Sequence, residues 1–401
     1  MTSPESHLQR IRQLVADHYE RRTEQIPTEK SLGRITSADI IAAFDSPRFD
    51  NSQMDGYAVP TADGGAFEVA ATIPAGTSPE LLAGKAAPIM TGAAVPADAA
   101  AIIPVEKATP AEFLEPGETI SLPATEPGQF IRVHGCDVAA GSTIISAGTT
   151  ISAAAIATMA SQSIVEVEVF SPARILICTG GAEIQASELA DTQDTATIPD
   201  ANAPMLRALA HAAGIEVVGH VSTNDDPSAL KAALAAAIEK FQPDVVVTSG
   251  GISAGKFEVV RQVLESSSAA KDSPATAWFG HVDQQPGGPQ GCAVFNSVPV
   301  ICLPGNPVST LVSFRLFVAP VLGHVPADSW AQLAEATTGI AGRDQFRRGR
   351  VEYRSDGATV AHIIGGPGSH LITQAVEATH LIRIPAGAQL DAGSVVQVYS
   401  L

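Results

Sequence analysis

The chain has 401 residues, with 24 basic and 42 acidic side chains and a formal charge of −18. Charged residues make up only 16% of it, against roughly 25% on average, so the acidity comes from scarce cations. This argues against a nucleic-acid binder, which needs clustered Lys and Arg, and against docking on an anionic membrane surface. It leaves room for a small anionic ligand, because backbone amides bind one without net positive charge.

At 45% hydrophobic residues the chain reads as globular, with length for about two to four domains. Cys136, Cys178, Cys292 and Cys302 are far apart and form no CxxC pair, which argues against a disulfide framework or structural zinc. The N-terminus has no apolar core of signal-peptide type and no apolar run is long enough to span a bilayer, so a cytoplasmic, reducing location without membrane insertion is expected.

In chain order, residues 4–44 read as helical, with Leu8, Ile11, Leu14 and Val15 on one face and Leu32, Ile35, Ile40 and Ile41 continuing the pattern. Residues 45–137 are rich in Gly, Pro and Ala, with short β-like runs at 67–73, 101–105 and 119–122, as in a small all-β module. Residues 138–170 combine turns, an Ala-rich helix near 153–160 and a β-run at 164–170. From Ala173 strands and helices alternate: strands at 174–178, 215–221, 244–248 and 300–303, helices at 203–213, 226–241, 257–264 and 307–322. Asp226 reads as an N-cap with Pro227 at N1. The pattern predicts a mostly parallel, doubly wound α/β sheet. Residues 340–401 alternate at period two and read as a C-terminal β domain.

Ligands of such a sheet bind at the carboxyl edge of its strands. Three glycine-bearing loops fall there: Thr179–Gly180–Gly181, Ser249–Gly250–Gly251–Ile252–Ser253 and Pro304–Gly305–Asn306. Glycine lets backbone approach a ligand, and the following helix aims amides at an anion. None is a GxGxxG or a P-loop. Glu183, Asp225 and Glu258 lie beside these loops, and carboxylates beside a phosphate-binding edge suggest Mg2+. For Asp226 helix capping is the better reading, and for Glu258 a solvated helix position stands level with a metal ligand.

Six strings occur in a family order: DNSQMDGYAV from Asp50, IMTGAAVPADAAAIIPVE from Ile89, GQFIRVHGCDVAAG from Gly128, SGGISAG from Ser249, LPGNPVS from Leu303 and GSH from Gly368. Over essentially its whole length the chain resembles the MoeA family of molybdopterin molybdenumtransferases, which includes the gephyrin E domain. The resemblance implies four parts: an elongated N-terminal dimerisation domain (1–44 and 138–170), an inserted β module (45–137), a molybdopterin-binding doubly wound domain (171–323) and a β-barrel-like domain (324–401). It implies a cytoplasmic homodimer that inserts molybdate into adenylyl-molybdopterin with Mg2+ and releases AMP, working with molybdopterin adenylyltransferase and other cofactor-synthesis proteins. Matched motif by motif, Asp55, Thr91 and Asp137 would come from the partner subunit. Glu183, Asp225 and Glu258 would face Mg2+, with Asp225 also counted as catalytic. Ser249, Gly250, Gly251 and Ser253, with Gly180 and Gly181, would hold phosphate or pterin. Pro304, Gly305 and Asn306 would shape the pocket floor, and Ser369 would lie near molybdate.

Departures from the pattern sharpen the reading. The usual TGDEL becomes Thr179–Gly180–Gly181–Ala182–Glu183–Ile184, and His281, Gln285 and Gly288 stand where many relatives carry lysine. These losses motivate an alternative, a gephyrin-like dimeric scaffold that binds a peptide of a cytoskeletal, cell-division or membrane-receptor partner with relaxed or lost catalysis. A stand-alone pterin- or nucleotide-binding protein is disfavoured by the upstream DNSQMDGYAV and the C-terminal GSH.

Overall fold

The computed structural model describes residues 2–181, 184–185, 198–223, 226–252, 258–268 and 277–401. The chain divides into two units: Arg22–Phe170 forms one, and the N-terminal segment to Arg21 joins Ser171–Leu401 in the other.

The larger unit is built on a six-stranded sheet in the order Glu216–Thr223, Arg174–Gly180, Val245–Ser249, Val298–Leu303, Pro289–Phe295, Trp278–His281. The first four strands are parallel, as expected, and the last two run antiparallel as an added hairpin. That hairpin is missed in the sequence because Gly and Pro punctuate it. The three inner parallel strands carry unbroken apolar runs at 175–178, 245–247 and 300–303 because both faces are covered, whereas the edge strand Glu216–Thr223 carries His220 and Ser222. Ile175, Ile177, Val245, Val247, Ile301 and Leu303 pack on one side, and Leu176, Cys178, Val246, Val300 and Cys302 on the other. Helix Asn202–Ala212 buries Leu206 and Ala210 in the first core, while Pro227–Phe241 and Val259–Ser268 supply Leu230, Leu234, Val260 and Leu264 to the second. Asp226 caps its helix, accepting from the Ser228 and Ala229 amides at 2.8 and 3.2 Å.

The last helix of this layer runs Pro307–Ser313, widens to a π turn over Phe314–Val318 and closes at Ala319–Leu322. The π turn carries the buried Arg315, which donates to the Ser400 carbonyl at 2.6 Å and to Asp328 at 3.1 Å, tying the C-terminal strand to the helix. The C-terminal sheet joins Asp344–Tyr353, Thr359–Ile363, Ser329–Leu333, Val395–Ser400 and His380–Ile384, and the last of these pairs back to the first, closing the ring. Gln284–Gln285 adds to its edge.

The expected helical run over 4–44 is confined to Pro4–Ala16, opened by a Ser3 cap and Pro4. Its buried face is Pro4, His7, Ile11 and Val15, packed within the larger unit. Of the remaining apolar residues, Ile40 and Ile41 form a strand paired with Thr143–Ile145, Ile35 makes an isolated bridge to Thr150 and Leu32 lies in a turn, while Thr23–Pro27 pairs with Glu166–Phe170. A propensity reading cannot separate these because both elements are short and amphipathic.

In the Arg22–Phe170 unit, Ile40, Ile145, Ile151, Met159, Val167 and Val169 form one small core. The β module centres on Gly56–Val59, flanked by Ala87–Ile89 and Ala101–Pro104. Tyr57 is fully buried, and its hydroxyl donates to the Glu112 carbonyl at 2.9 Å and accepts from the Leu114 amide at 2.8 Å. No helix among the described residues is long and apolar enough to cross a membrane.

Candidate functional site

The carboxyl ends of the three central strands bring the three glycine loops together. Gly250 has φ +100°, and a Cβ there would lie 3.2 Å from the Gly180 carbonyl oxygen and 3.8 Å from Gly305 Cα. One residue from each loop therefore meets at a single edge, where a Cβ on Gly250 or Gly305 would press tightly on neighbouring backbone. Gly180 has φ +135°, and a Cβ on it would fall on the Thr223 backbone. Only glycine accepts that conformation at that proximity.

Hydrogen bonds fix the loops from beneath. Ser249 is buried, and its hydroxyl is shared with Thr310 Oγ1 at 3.0 Å and the Pro304 carbonyl at 3.2 Å. The expected ligand hydroxyl of Ser249 is thus turned inward and serves the third loop. Thr310 donates to the Pro304 carbonyl at 2.8 Å, and the Gly250 amide to the Leu303 carbonyl at 3.0 Å. Gly305 and Asn306 are exposed on the rim, and Pro304 is buried.

Sequence reasoning passed over a second network. Thr179 Oγ1 lies 2.5 Å from Asp200 Oδ2 and 2.7 Å from His220 Nε2. A carboxylate only accepts, so Thr179 donates to Asp200 and His220 Nε2–H donates to Thr179. Burial, then the Arg207 charge, pushes the His220 pKa down, opposed by Asp200. Asp200 also accepts from the Asn202 and Ala203 amides at 2.9 and 3.0 Å, and Asn202 Nδ2 donates to the Gly305 carbonyl at 2.6 Å. The available signal was Asp-Ala-Asn just before a predicted helix, a capping pattern.

The Ser369 loop reaches the same edge. The Val308 amide donates to the Ser369 carbonyl at 3.3 Å, seating Gly368–His370 on the helix that follows Pro304–Gly305–Asn306. The buried Arg348 donates to the Gly366 and Leu371 carbonyls, bracketing the loop. Burial, then neighbouring Arg347, lowers the Arg348 pKa. At the lysine-replacing positions, Gln285 accepts from Gln345 at 2.8 Å, and the exposed His281 ring covers Gly288, where a Cβ would meet Nε2. Gly181 lines a cavity of about 330 Å³ with Ser222, Thr223 and the first turns of helix Pro227–Phe241.

Glu183, Asp225 and Ser253 lie outside the described residues. Glu258 is half-buried, immediately before helix Val259–Ser268. Among the described residues no three His, Cys, Asp or Glu side chains gather as a metal site. Cys178, Cys292 and Cys302 are core thiols. Burial pushes Cys178 up to about 12 and Cys292 up to about 11, whereas Cys136 is exposed.

In the Arg22–Phe170 unit, Asp55 and Thr91 meet directly. Asp55 Oδ1 accepts from the Thr91 hydroxyl and amide, both at 2.6 Å, and these bonds, the hydroxyl first, hold the exposed carboxyl below the usual carboxylate range. The segment carrying Asp137 is paired to the segment preceding Asp55 through Asn51–Ser52 and Ile131–Arg132. Asp137 itself is exposed, its amide on the Ser46 carbonyl. Arg132 is held by Asn51 at 3.0 Å.

Comparison with known proteins matches residues 2–163 to "MoeA N-terminal region (domain I and II)", 144–324 to "Probable molybdopterin binding domain" and 331–401 to "MoeA C-terminal region (domain IV)". Molybdopterin molybdenumtransferase 2 of Mycobacterium tuberculosis (strain H37Rv) is 35% identical over 397 residues, covering 94% of each chain. The molybdopterin molybdenumtransferase of Staphylococcus aureus (strain MSSA476) is 29% identical over 389 residues, covering 93% of this chain and 90% of that one. A crystal structure of the molybdopterin biosynthesis MoeA protein from Pyrococcus horikosii superimposes with TM-score 0.76 at 28% identity, covering 98% of each chain.

Proposed function

The chain belongs to the MoeA family of molybdopterin molybdenumtransferases, enzymes of molybdenum cofactor biosynthesis, and from that premise we propose that it inserts molybdate into adenylyl-molybdopterin and releases AMP. One observation carries the reading. Gly180, Gly250 and Gly305 meet at one strand edge, and the Ser369 loop is seated on that same edge. Fixed amides there stabilise charge on the departing phosphate without net positive charge from side chains.

In this reading the protein is a cytoplasmic homodimer. Asp55, Thr91 and Asp137 of one subunit complete the cleft of the other, and molybdopterin adenylyltransferase delivers the adenylate. Glu183, Asp225 and Glu258 would hold Mg2+, which when bound neutralises the phosphate link. Of these only Glu258 lies among the described residues. Gly180, Gly181, Gly250 and Gly251 admit the phosphate or pterin, Ser369 meets molybdate, and Asp55, kept ionised by Thr91, orients the donor groups of the adenylate.

A second reading, a peptide-binding scaffold, has one observation in its favour. A cavity of about 340 Å³ is walled by Leu8, Phe317, Phe346 and Tyr399 and edged by Arg12 and Arg383. It lies apart from the glycine edge within the larger unit, so both roles are compatible.

The test is reconstitution. Purified protein given adenylyl-molybdopterin, molybdate and Mg2+ should activate a molybdenum-dependent apoenzyme, and Asp55→Ala and Ser369→Ala should each lose at least about tenfold, the equivalent of ~1.4 kcal/mol. Mixing those two variants should recover part of the activity if clefts are shared between subunits. Equal activity in all three proteins would overturn the assignment.

A further inference from the structure

Asn202 stands out as a polar residue only 8% exposed whose amide nitrogen is committed to one backbone carbonyl, Gly305 O at 2.6 Å. Its Oδ1 is buried without a hydrogen-bond partner. A buried oxygen without a partner destabilises the fold, and an apolar residue of similar size would avoid that loss. The residue is therefore held here for its donor.

A trans peptide is planar, with N–H pointing opposite to C=O. Thr310 and Ser249 draw the Pro304 carbonyl into the protein, and Asn202 does the same to the Gly305 carbonyl. The amides of the same two peptides, Gly305 N–H and Asn306 N–H, are thereby turned the other way, on a loop whose two residues are exposed. Successive amides on one side of a turn make an anion-facing concavity.

We propose that Asn202 is a positioning residue for this reaction, fixing the Gly305–Asn306 peptide so that the Asn306 amide faces a substrate oxyanion. The proposal rests on the function given above. The brace is anchored at its other end: the Asn202 amide binds Asp200 at 2.9 Å, and Asp200 takes the Thr179 hydroxyl from the end of the first strand. Asn202 thus couples the first and third loops, and it does so from below, without touching substrate.

Steady-state titrations of adenylyl-molybdopterin and of molybdate test this with wild type, Asn202→Ala and the isosteric Asn202→Asp, which sets a carboxylate oxygen against the Gly305 carbonyl. Leu206→Ala, in the same helix and fully buried, is the control for mere destabilisation. The Asn202 variants should raise one KM about tenfold, as expected for one lost hydrogen bond to a charged group, with kcat changed only a few-fold. The KM that moves identifies the oxyanion, adenylate phosphate or molybdate. Leu206→Ala should lower the Tm and leave both KM values alone. Wild-type KM values in both Asn202 variants, or an equal rise in Leu206→Ala, would overturn the proposal. If Asn202→Ala does not fold, Asn202→Asp decides. If wild type itself shows no turnover, the function fails. Asn202 is then judged by calorimetry with AMP and with molybdate, where unchanged affinity for both rejects it.

Discussion

His7 makes the first helix a pH-dependent fastening. Its side chain is fully buried against Trp278 and Phe317, with ring centroids 4.9 and 4.8 Å away, and neither ring nitrogen has a hydrogen-bond partner. Burial, helped by the Arg10 charge, pushes its pKa down from 6.5 to about 3. Above the unfolded value neither state is protonated and stability is independent of this group. Below it the unfolded chain takes a proton that the folded chain refuses, so stability falls by about 1.4 kcal/mol per pH unit until the folded value is reached. Near pH 5 the loss is about 2 kcal/mol. Urea unfolding followed by Trp278 fluorescence, in a Trp330→Phe background to silence the exposed tryptophan, measures it. His7→Phe should remove this slope below about pH 6.5 and be at least as stable at neutral pH. Parallel pH profiles for the two proteins would refute the reasoning.

Three further outcomes follow from the same geometry. Gly180→Ala should cost about 2–4 kcal/mol and abolish turnover, because it combines backbone strain with a collision, whereas Gly76→Ala, with φ +86° and open space, should cost only about 1 kcal/mol in a melting experiment. Thr310→Val should lower stability by about 1–3 kcal/mol and slow turnover, since it removes the hydroxyl between Ser249 and Pro304, and Thr310→Ser should restore most of both. A thiol reagent should label a single site rapidly in the native protein, the exposed Cys136, and Cys136→Ser should remove that phase.

Much of the site was legible because local chemistry dictates it. Asp226 before Pro227 offers a cap from local sequence alone, and the helix takes it, while glycines after short apolar strands announce tight turns at a sheet edge. The motif order carried Asp55 to Thr91, which do touch. What stayed hidden depends on partners far along the chain. Asn202 reaches Gly305, Ser249 reaches Thr310, and Gln285 reaches Gln345, and no periodicity encodes such pairs. The segment 4–44 misled because helix Pro4–Ala16 and the following short strands share an amphipathic composition. The hairpin at 278–295 was hidden because Gly280 and Gly291 suggest turns, although both lie in paired strands. The lysine-poor composition has a structural counterpart: Gln285 is hydrogen-bonded to Gln345, and Gly288 lies under the His281 ring.

In the proposed function the converging glycine loops process an adenylate in step with molybdate insertion. The most direct measurement is AMP release from adenylyl-molybdopterin as molybdate is titrated. The proposed function requires release that saturates with molybdate, needs Mg2+ and matches the cofactor formed. AMP release indifferent to molybdate, or an adenylate that binds and is never cleaved, would contradict it.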